Sequence, residues 1–175
     1  MSKNRTTLHN GRKNKQGQAY SPKHNDRKFD LDKAEHIDPE RTKENVYWHY
    51  LQKKNPDMDF STAEKVFYKD HFEEALSIRN SSYIQHGNKK QVKTLEEYMQ
   101  EHCPEETIWM IGNAEDMIPA KILHNVWEEQ KTWMEATFPQ MTVLDWALHV
   151  DEQGANHIHE RHVFICLLYT SDAAD

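Results

Sequence analysis

The feature that most constrains this chain is a pair of short runs near its end with the two-residue period of a β-strand. In residues 141–150, Leu144, Trp146, Leu148 and Val150 fall on one face, and Asp145, Ala147 and His149 on the other. Residues 151–156 contain a glycine and read as a connection, and 157–165 form a second run. The two runs read as an antiparallel hairpin. A sheet must therefore be built around this end of the chain, with one apolar face to cover.

The preceding sequence supplies the cover. Residues 45–51 are β-branched and aromatic, a third strand candidate. Residues 52–59 carry Asn55-Pro56-Asp57 and form a turn. Ser61 and Glu64 have capping-box spacing and open a helix expected to run to about Asn80, with 80–91 as a loop. Thr94 and Glu97 repeat the spacing and start a short helix that stops before Pro104. Residues 107–111 are a short apolar strand. Pro119 suits a first helical turn, and the helix after it, to about Ala136, carries an apolar stripe of Ile122, Leu123, Val126, Trp127, Trp133 and Met134. Those tryptophans read as core. The expected fold class is α+β, an antiparallel sheet flanked by helices.

Composition narrows the class. Hydrophobic residues make up 37% and aromatics 10% of 175 residues, enough for one domain with a core and against wholesale disorder. No apolar run approaches the ~20 residues that span a bilayer. The first fifteen residues lack the apolar stretch of a secretory signal. Two cysteines, Cys103 and Cys166, make no disulfide framework, and a reducing, cytoplasmic setting with no membrane partner is expected. Charge is divided: residues 1–28 hold eight Lys/Arg and one acid, whereas 29–175 hold twice as many acids as basic residues. Residues 1–18 are read as a basic, flexible arm and 19–165 as an incomplete domain. The last ten residues, CLLYTSDAAD, resemble an in-frame translation of the transposase mosaic-end adapter used in sequencing libraries. Residues 166–175 are accordingly read as a non-native tail, with the natural sequence continuing past Ile165.

The unusual count is histidine, at twelve. His157 and His159 are two apart on a strand, so both imidazoles leave one face. The hairpin brings His149 beside them where the register allows. Three imidazoles on one face make a divalent-metal site with open positions, Mn²⁺ or Mg²⁺ by expectation, and Glu152 in the connection can ligate or orient a ligand.

The segment His149-Val150-Asp151-Glu152-Gln153-Gly154-Ala155-Asn156-His157-Ile158-His159 resembles the metal motif of Mob/Pre-type relaxases, plasmid mobilisation and recombination proteins of the HUH endonuclease superfamily. Their motif runs His-x-Asp-Glu-x-x-Pro-His-x-His. A second match lies upstream. Lys23-His24-Asn25-Asp26-Arg27, then Ile37-Asp38-Pro39-x-Arg41, then Asn45, resembles the family's N-terminal motif in order and separation. The family's proline stands as Asn156 here and the connection is one residue longer, which leaves the register of His149 against His157 open.

The resemblance implies an enzyme that cuts one DNA strand at a plasmid transfer origin and stays joined to the 5′ phosphate. His149, His157 and His159 would hold the metal, and His24 would be the nucleophile. Asp26 or Glu152 would orient His24. Arg27 and Arg41, with Lys23 and Asn25, would contact phosphate. The implied partners are single-stranded or supercoiled plasmid DNA and conjugation coupling machinery. Tyr20, Tyr47 and Tyr50 are competing nucleophiles that read as packing aromatics. Two other classes fit the same residues less well. One is a non-catalytic DNA-binding relative, favoured by the longer connection. The other is a His-metal small-molecule hydrolase, disfavoured because Val163 and Phe164 stand where a further carboxylate is wanted.

Overall fold

A computed structural model of the chain describes residues 6–13 and 17–165. The two C-terminal runs pair as expected. Strand β4 (Met141–His149) lies antiparallel to β5 (His157–Phe164), with His149 directly opposite His157. Three more strands complete the sheet: β1 (Thr6–Gly11), β2 (Val46–His49) and β3 (Glu105–Ile111). The order is β1-β3-β5-β4-β2 and every neighbouring pair is antiparallel. The hairpin thus supplies two of the three inner strands, flanked by β3 on one side and β2 on the other.

Each face of the sheet has its own cover. Helix α4 (Ala120–Thr137) puts Leu123 and Trp127 against Met141, Val143, Trp146, Leu148, Val150 and Ile158. On the opposite face, α2 (Phe60–Gln85) and α3 (Leu95–Glu101) pack Phe67, Tyr68, Phe72, Leu95 and Tyr98 around Leu144 and Val163. No helix among the described residues is long and apolar enough to cross a membrane.

Leu144 departs from strict alternation. The pairing register shifts between Val143 and Asp145. This bulge inserts one residue, turns Leu144 toward α2 and leaves Val143 under α4, reversing the parity expected at that end of the strand.

Helix boundaries differ for identifiable reasons. The cap of α2 is Asp59, whose carboxylate accepts from the Thr62 N–H at 2.7 Å, rather than Ser61. Glu64, the other half of the expected box, instead accepts from buried Arg161 at 2.8 Å. The helix also continues past Asn80 to Gln85. The Asn80 side chain pairs with the backbone of Lys93 through both its amide groups instead of ending the helix. At α3 the box from Thr94 to Glu97 has both of its arms.

Strand β1 falls within the region read as a flexible arm. Thr6 to Gly11 pair residue by residue with Ile111 to Glu106 on the outer edge of β3. Main-chain hydrogen bonds need no apolar side chain, and Leu8 stays 54% exposed, so no hydrophobic pattern marked this strand. The tail at 166–175 lies outside the described residues.

Candidate metal and nucleophile centre

The α2-side face of the hairpin carries His149 on β4 and His157 and His159 on β5. Ala147 lies opposite His159, and its small side chain leaves room for the imidazole. Ring centroids are 5.4 Å apart for His149 and His157, and 5.0 Å for each pair with His159. The direct His149–His157 pairing settles the register that the longer connection left open.

Each of the three rings is fixed through one nitrogen. His149 donates from Nε2 to the Asn25 carbonyl at 2.8 Å. His157 donates from Nδ1 to the Ala155 carbonyl at 3.0 Å. His159 donates from Nδ1 to Glu106 Oε1 at 3.0 Å. A neutral imidazole with one nitrogen donating keeps a lone pair on the other, the arrangement a metal ligand requires. His149 Nδ1 is buried and has no hydrogen-bond partner among the described residues. Its neighbour is the Glu152 carboxylate, 3.5 Å away, which also approaches His157 Nε2 at 3.5 Å and His24 Nε2 at 3.3 Å. A buried lone pair facing a carboxylate is a place for a cation.

The four groups that converge most closely are His24, His149, Glu152 and His159, with one ligand atom of each within 4.8 Å of the others. Two of the expected metal ligands, His149 and His159, are in this quartet, and His24 and Glu152 join them. His157 is held off it by its bond to Ala155 and borders it through Glu152.

His24 is presented by α1 (Pro22–Asn25), which lies over the histidine face. Its side chain is about a third exposed and stacks on Phe29 at 5.8 Å. Its ring lies 5.4 Å from that of His159 and 5.9 Å from that of His149. Of the two carboxylates expected beside it, Glu152 is the one in reach, with Oε1 3.3 Å from His24 Nε2. Asp26 instead accepts from the first N–H of α2, at Phe60, at 2.8 Å.

The electrostatics suit a cation. Burial pushes His149 down to about 4, so it is neutral at neutral pH. Burial works to raise Glu152, but the imidazoles of His149, His157 and His24 around it outweigh that and hold the carboxyl far below its usual range. Glu106 follows the same pattern, with His159 overcoming its burial. His157 moves the other way from His149: burial lowers it, and Glu152 more than compensates. On this face the carboxylates of Glu64, Glu106, Asp145, Asp151 and Glu152 outnumber the guanidiniums of Arg27 and Arg161, leaving negative charge for a metal to offset. The donor set, two or three imidazoles with a carboxylate, fits a divalent ion.

Several residues expected at phosphate have other tasks. Arg27 is 7% exposed, and its fork grips Asp151, with further bonds to Glu152 and to the His24 carbonyl. It sits in the left-handed region at φ 57°, a strain of about 1–3 kcal/mol held in place by those bonds. Asn25 is 1% exposed and donates to Glu106 Oε2 at 2.8 Å, so it is not open to DNA. Lys23 is exposed beside His24, and Arg41 is partly exposed, 3.9 Å from Glu44 and outside the quartet. Asn45 clamps the connection by accepting from the Val150 N–H at 2.9 Å, and donates to the Tyr47 hydroxyl at 3.0 Å. Tyr47 lies 6.5 Å from His149, ring to ring. Tyr50 packs on Phe67, and burial pushes its hydroxyl up to about 12.

Glu106 was not singled out by the sequence, where the strand was begun at residue 107. Extending the alternation of Met110 and Ile108 back two residues would have put a carboxylate on the covered face, a signal that it must have partners there.

No protein-family model matches the chain, and no curated protein sequence matches it. Among solved structures, it is similar to the Mn-bound MobM relaxase domain (MOBV; Mob_Pre) in complex with a 22-nucleotide oriT DNA of plasmid pMV158. The TM-score is 0.53 at 14% identity, over 90% of this chain and 69% of that one. The chain therefore has the Mob/Pre-type relaxase fold.

Proposed function

We propose that this chain is a metal-dependent, single-strand DNA nicking and strand-transfer enzyme of the relaxase type, acting at a plasmid transfer origin. The observation that carries the reading is the convergence of His24 and Glu152 on His149 and His159, whose rings are each fixed by one donated N–H. The resemblance in fold to a relaxase solved on oriT DNA supports the substrate class.

A divalent ion on His149, His159 and His157 or Glu152 would act as Lewis acid and template for the scissile phosphate. The chain's own residues supply the nucleophile. His24 Nε2 points to Glu152, so its N–H donates there and Nδ1 keeps the lone pair. Nδ1 attacks phosphorus, an N–P bond forms, and the P–O3′ bond breaks. The electron pair leaves on the 3′ oxygen, which takes up a proton, and the Nε2 proton of His24 passes to Glu152. The phosphoramidate conserves the energy of the broken bond for rejoining. Lys23, exposed next to His24, is placed to meet the strand's phosphates. Conjugation coupling machinery would be the further partner of such an activity.

The test is covalent capture. The protein is incubated with a randomised single-stranded DNA library, labelled at its 3′ ends, with and without Mn²⁺, then denatured in detergent. Label retained on the protein only with Mn²⁺ supports the proposal, and no retention with wild-type protein that binds Mn²⁺ overturns it.

A further inference from the structure

We infer that Asn25 and Glu106 are positioning residues that make the docking of His24 and the binding of the metal one coupled event. This inference rests on the reading above that the strand histidines hold a divalent ion.

Glu106 is 3% exposed and both of its oxygens are committed. Oε1 accepts from His159 Nδ1 at 3.0 Å and Oε2 from Asn25 Nδ2 at 2.8 Å. A buried carboxylate can only accept, so His159 must carry its proton on Nδ1 and leave Nε2 with the lone pair. Asn25 also acts on a second ligand. Its backbone carbonyl takes the Nε2 proton of His149 and leaves Nδ1 with the lone pair. One residue therefore sets the tautomer of His149 directly and that of His159 through Glu106.

Asn25 is also the residue next to His24. Helix α1 has four residues and no side-chain N-cap, so it has almost no stability of its own. What fixes it is tertiary: Asn25 to Glu106 and His149, Asp26 to the start of α2, and Arg27 to Asp151 and Glu152. Two of these fastenings end on groups that select a metal-ready imidazole. If docking of α1 raises metal affinity by some factor, metal binding must favour docking by the same factor, because coupling between two binding events is reciprocal. His24 is then held over the site when the site is ready for metal, and loosened when it is not.

The experiment uses the full chain and the variants E106Q, E106L and N25A, with three readouts: Mn²⁺ titration by calorimetry, the His159 tautomer by nitrogen NMR, and amide exchange over residues 22–27 with and without Mn²⁺. Glutamine has one oxygen to keep for His159 and turns its NH2 toward Asn25 Nδ2, so E106Q retains the tautomer but loses the α1 fastening and weakens Mn²⁺ binding to the same extent as N25A. E106L releases the tautomer and weakens Mn²⁺ binding about 10–100-fold, whereas N25A leaves the Glu106–His159 bond in place and weakens binding to a smaller extent. In wild type, Mn²⁺ slows exchange over residues 22–27, and N25A reduces that slowing. A purely structural role would lower Tm and leave the affinity of the folded protein alone. If E106L does not fold, E106Q and N25A still decide the matter. Wild-type affinity in folded N25A, or exchange over 22–27 indifferent to Mn²⁺, overturns the coupling. A wild type that binds no Mn²⁺ overturns the metal centre itself, and the tautomer readout separates that failure from failure of the Asn25–Glu106 pair.

Discussion

Arg27 and Asp151, 124 residues apart in sequence, meet in a two-pronged ion pair, Nε to Oδ2 at 3.0 Å and Nη2 to Oδ1 at 2.7 Å. The pair joins the two ends of the site: Arg27 follows the His24 turn, and Asp151 opens the connection between the histidine strands. Thr42 adds a further bond to Asp151 at 2.9 Å.

Removing one partner of a buried pair strands the other. D151N is expected to lose about 3–5 kcal/mol at pH 7 in a denaturant melt. Burial works to raise the Asp151 carboxyl, but bonds from Arg27 and Asn45 prevail and hold it down at about 2, below its ordinary 3.8. The unfolded chain therefore takes up that proton first as pH falls. The linked stabilisation, about 2 kcal/mol, is complete above roughly pH 4 and disappears as pH drops through 2. The stability gap between wild type and D151N should narrow over that interval. A gap independent of pH from 6 to 2 would contradict the assignment.

The bulge in β4 makes a second prediction. Leu144 is 1% exposed between α2 and the sheet, whereas Leu8 on the edge strand is 54% exposed. L144A should cost about 2–5 kcal/mol through the cavity it leaves. L8A should stay within about 0.5 kcal/mol of wild type. Comparable losses for the two would mean that Leu144 is not turned into the α2 core.

These cases show what was legible in the sequence. The hairpin and its histidine face were, because a two-residue period assigns faces without any knowledge of the neighbours. The parity of Leu144 was not, since one inserted residue reverses the period and leaves no compositional mark. Strand β1 was not, because it is held by main-chain bonds to β3. At the site, spacing alone put His157 and His159 on one face, whereas the place of His149 beside them depended on a register that the longer connection left open. The tasks of Asn25 and Arg27 were not legible, because both residue types suit phosphate as well as they suit Glu106 and Asp151. Only the burial of those partners, from distant strands and loops, decides between the two uses.

The metal ligands can be separated by their effects. H159A removes a group of the close quartet and its bond to Glu106, and H149A removes the buried lone pair. Each should weaken Mn²⁺ binding by at least about 100-fold, as loss of a ligand exceeds the 10–100-fold cost of losing an orienting partner. H157A, whose ring borders the quartet through Glu152, should cost less. Calorimetry on the three variants orders them. Unchanged affinity in the H157A/H159A double variant would rule the site out.

The nucleophile is decided by the bond it makes. His24 presents an imidazole 3.3 Å from the Glu152 carboxylate, whereas Tyr47 offers a hydroxyl that burial raises above its ordinary value and that is engaged by Asn45. Neutral imidazole is already nucleophilic at neutral pH, and the tyrosine would first have to lose a proton that its surroundings retain. Attack by His24 gives a phosphoramidate, whose P–N bond is hydrolysed in acid, and attack by tyrosine gives a phosphate ester that survives acid. The Mn²⁺-dependent DNA adduct should therefore disappear on brief acid treatment. H24A should abolish adduct formation, while some Mn²⁺ binding persists on His149, His157, His159 and Glu152. Y47F should form the adduct at close to the wild-type level, because its ring still packs and only the hydroxyl is lost. An acid-stable adduct that forms in H24A and is missing in Y47F would transfer the role to Tyr47 and leave His24 as a group that shapes the metal centre.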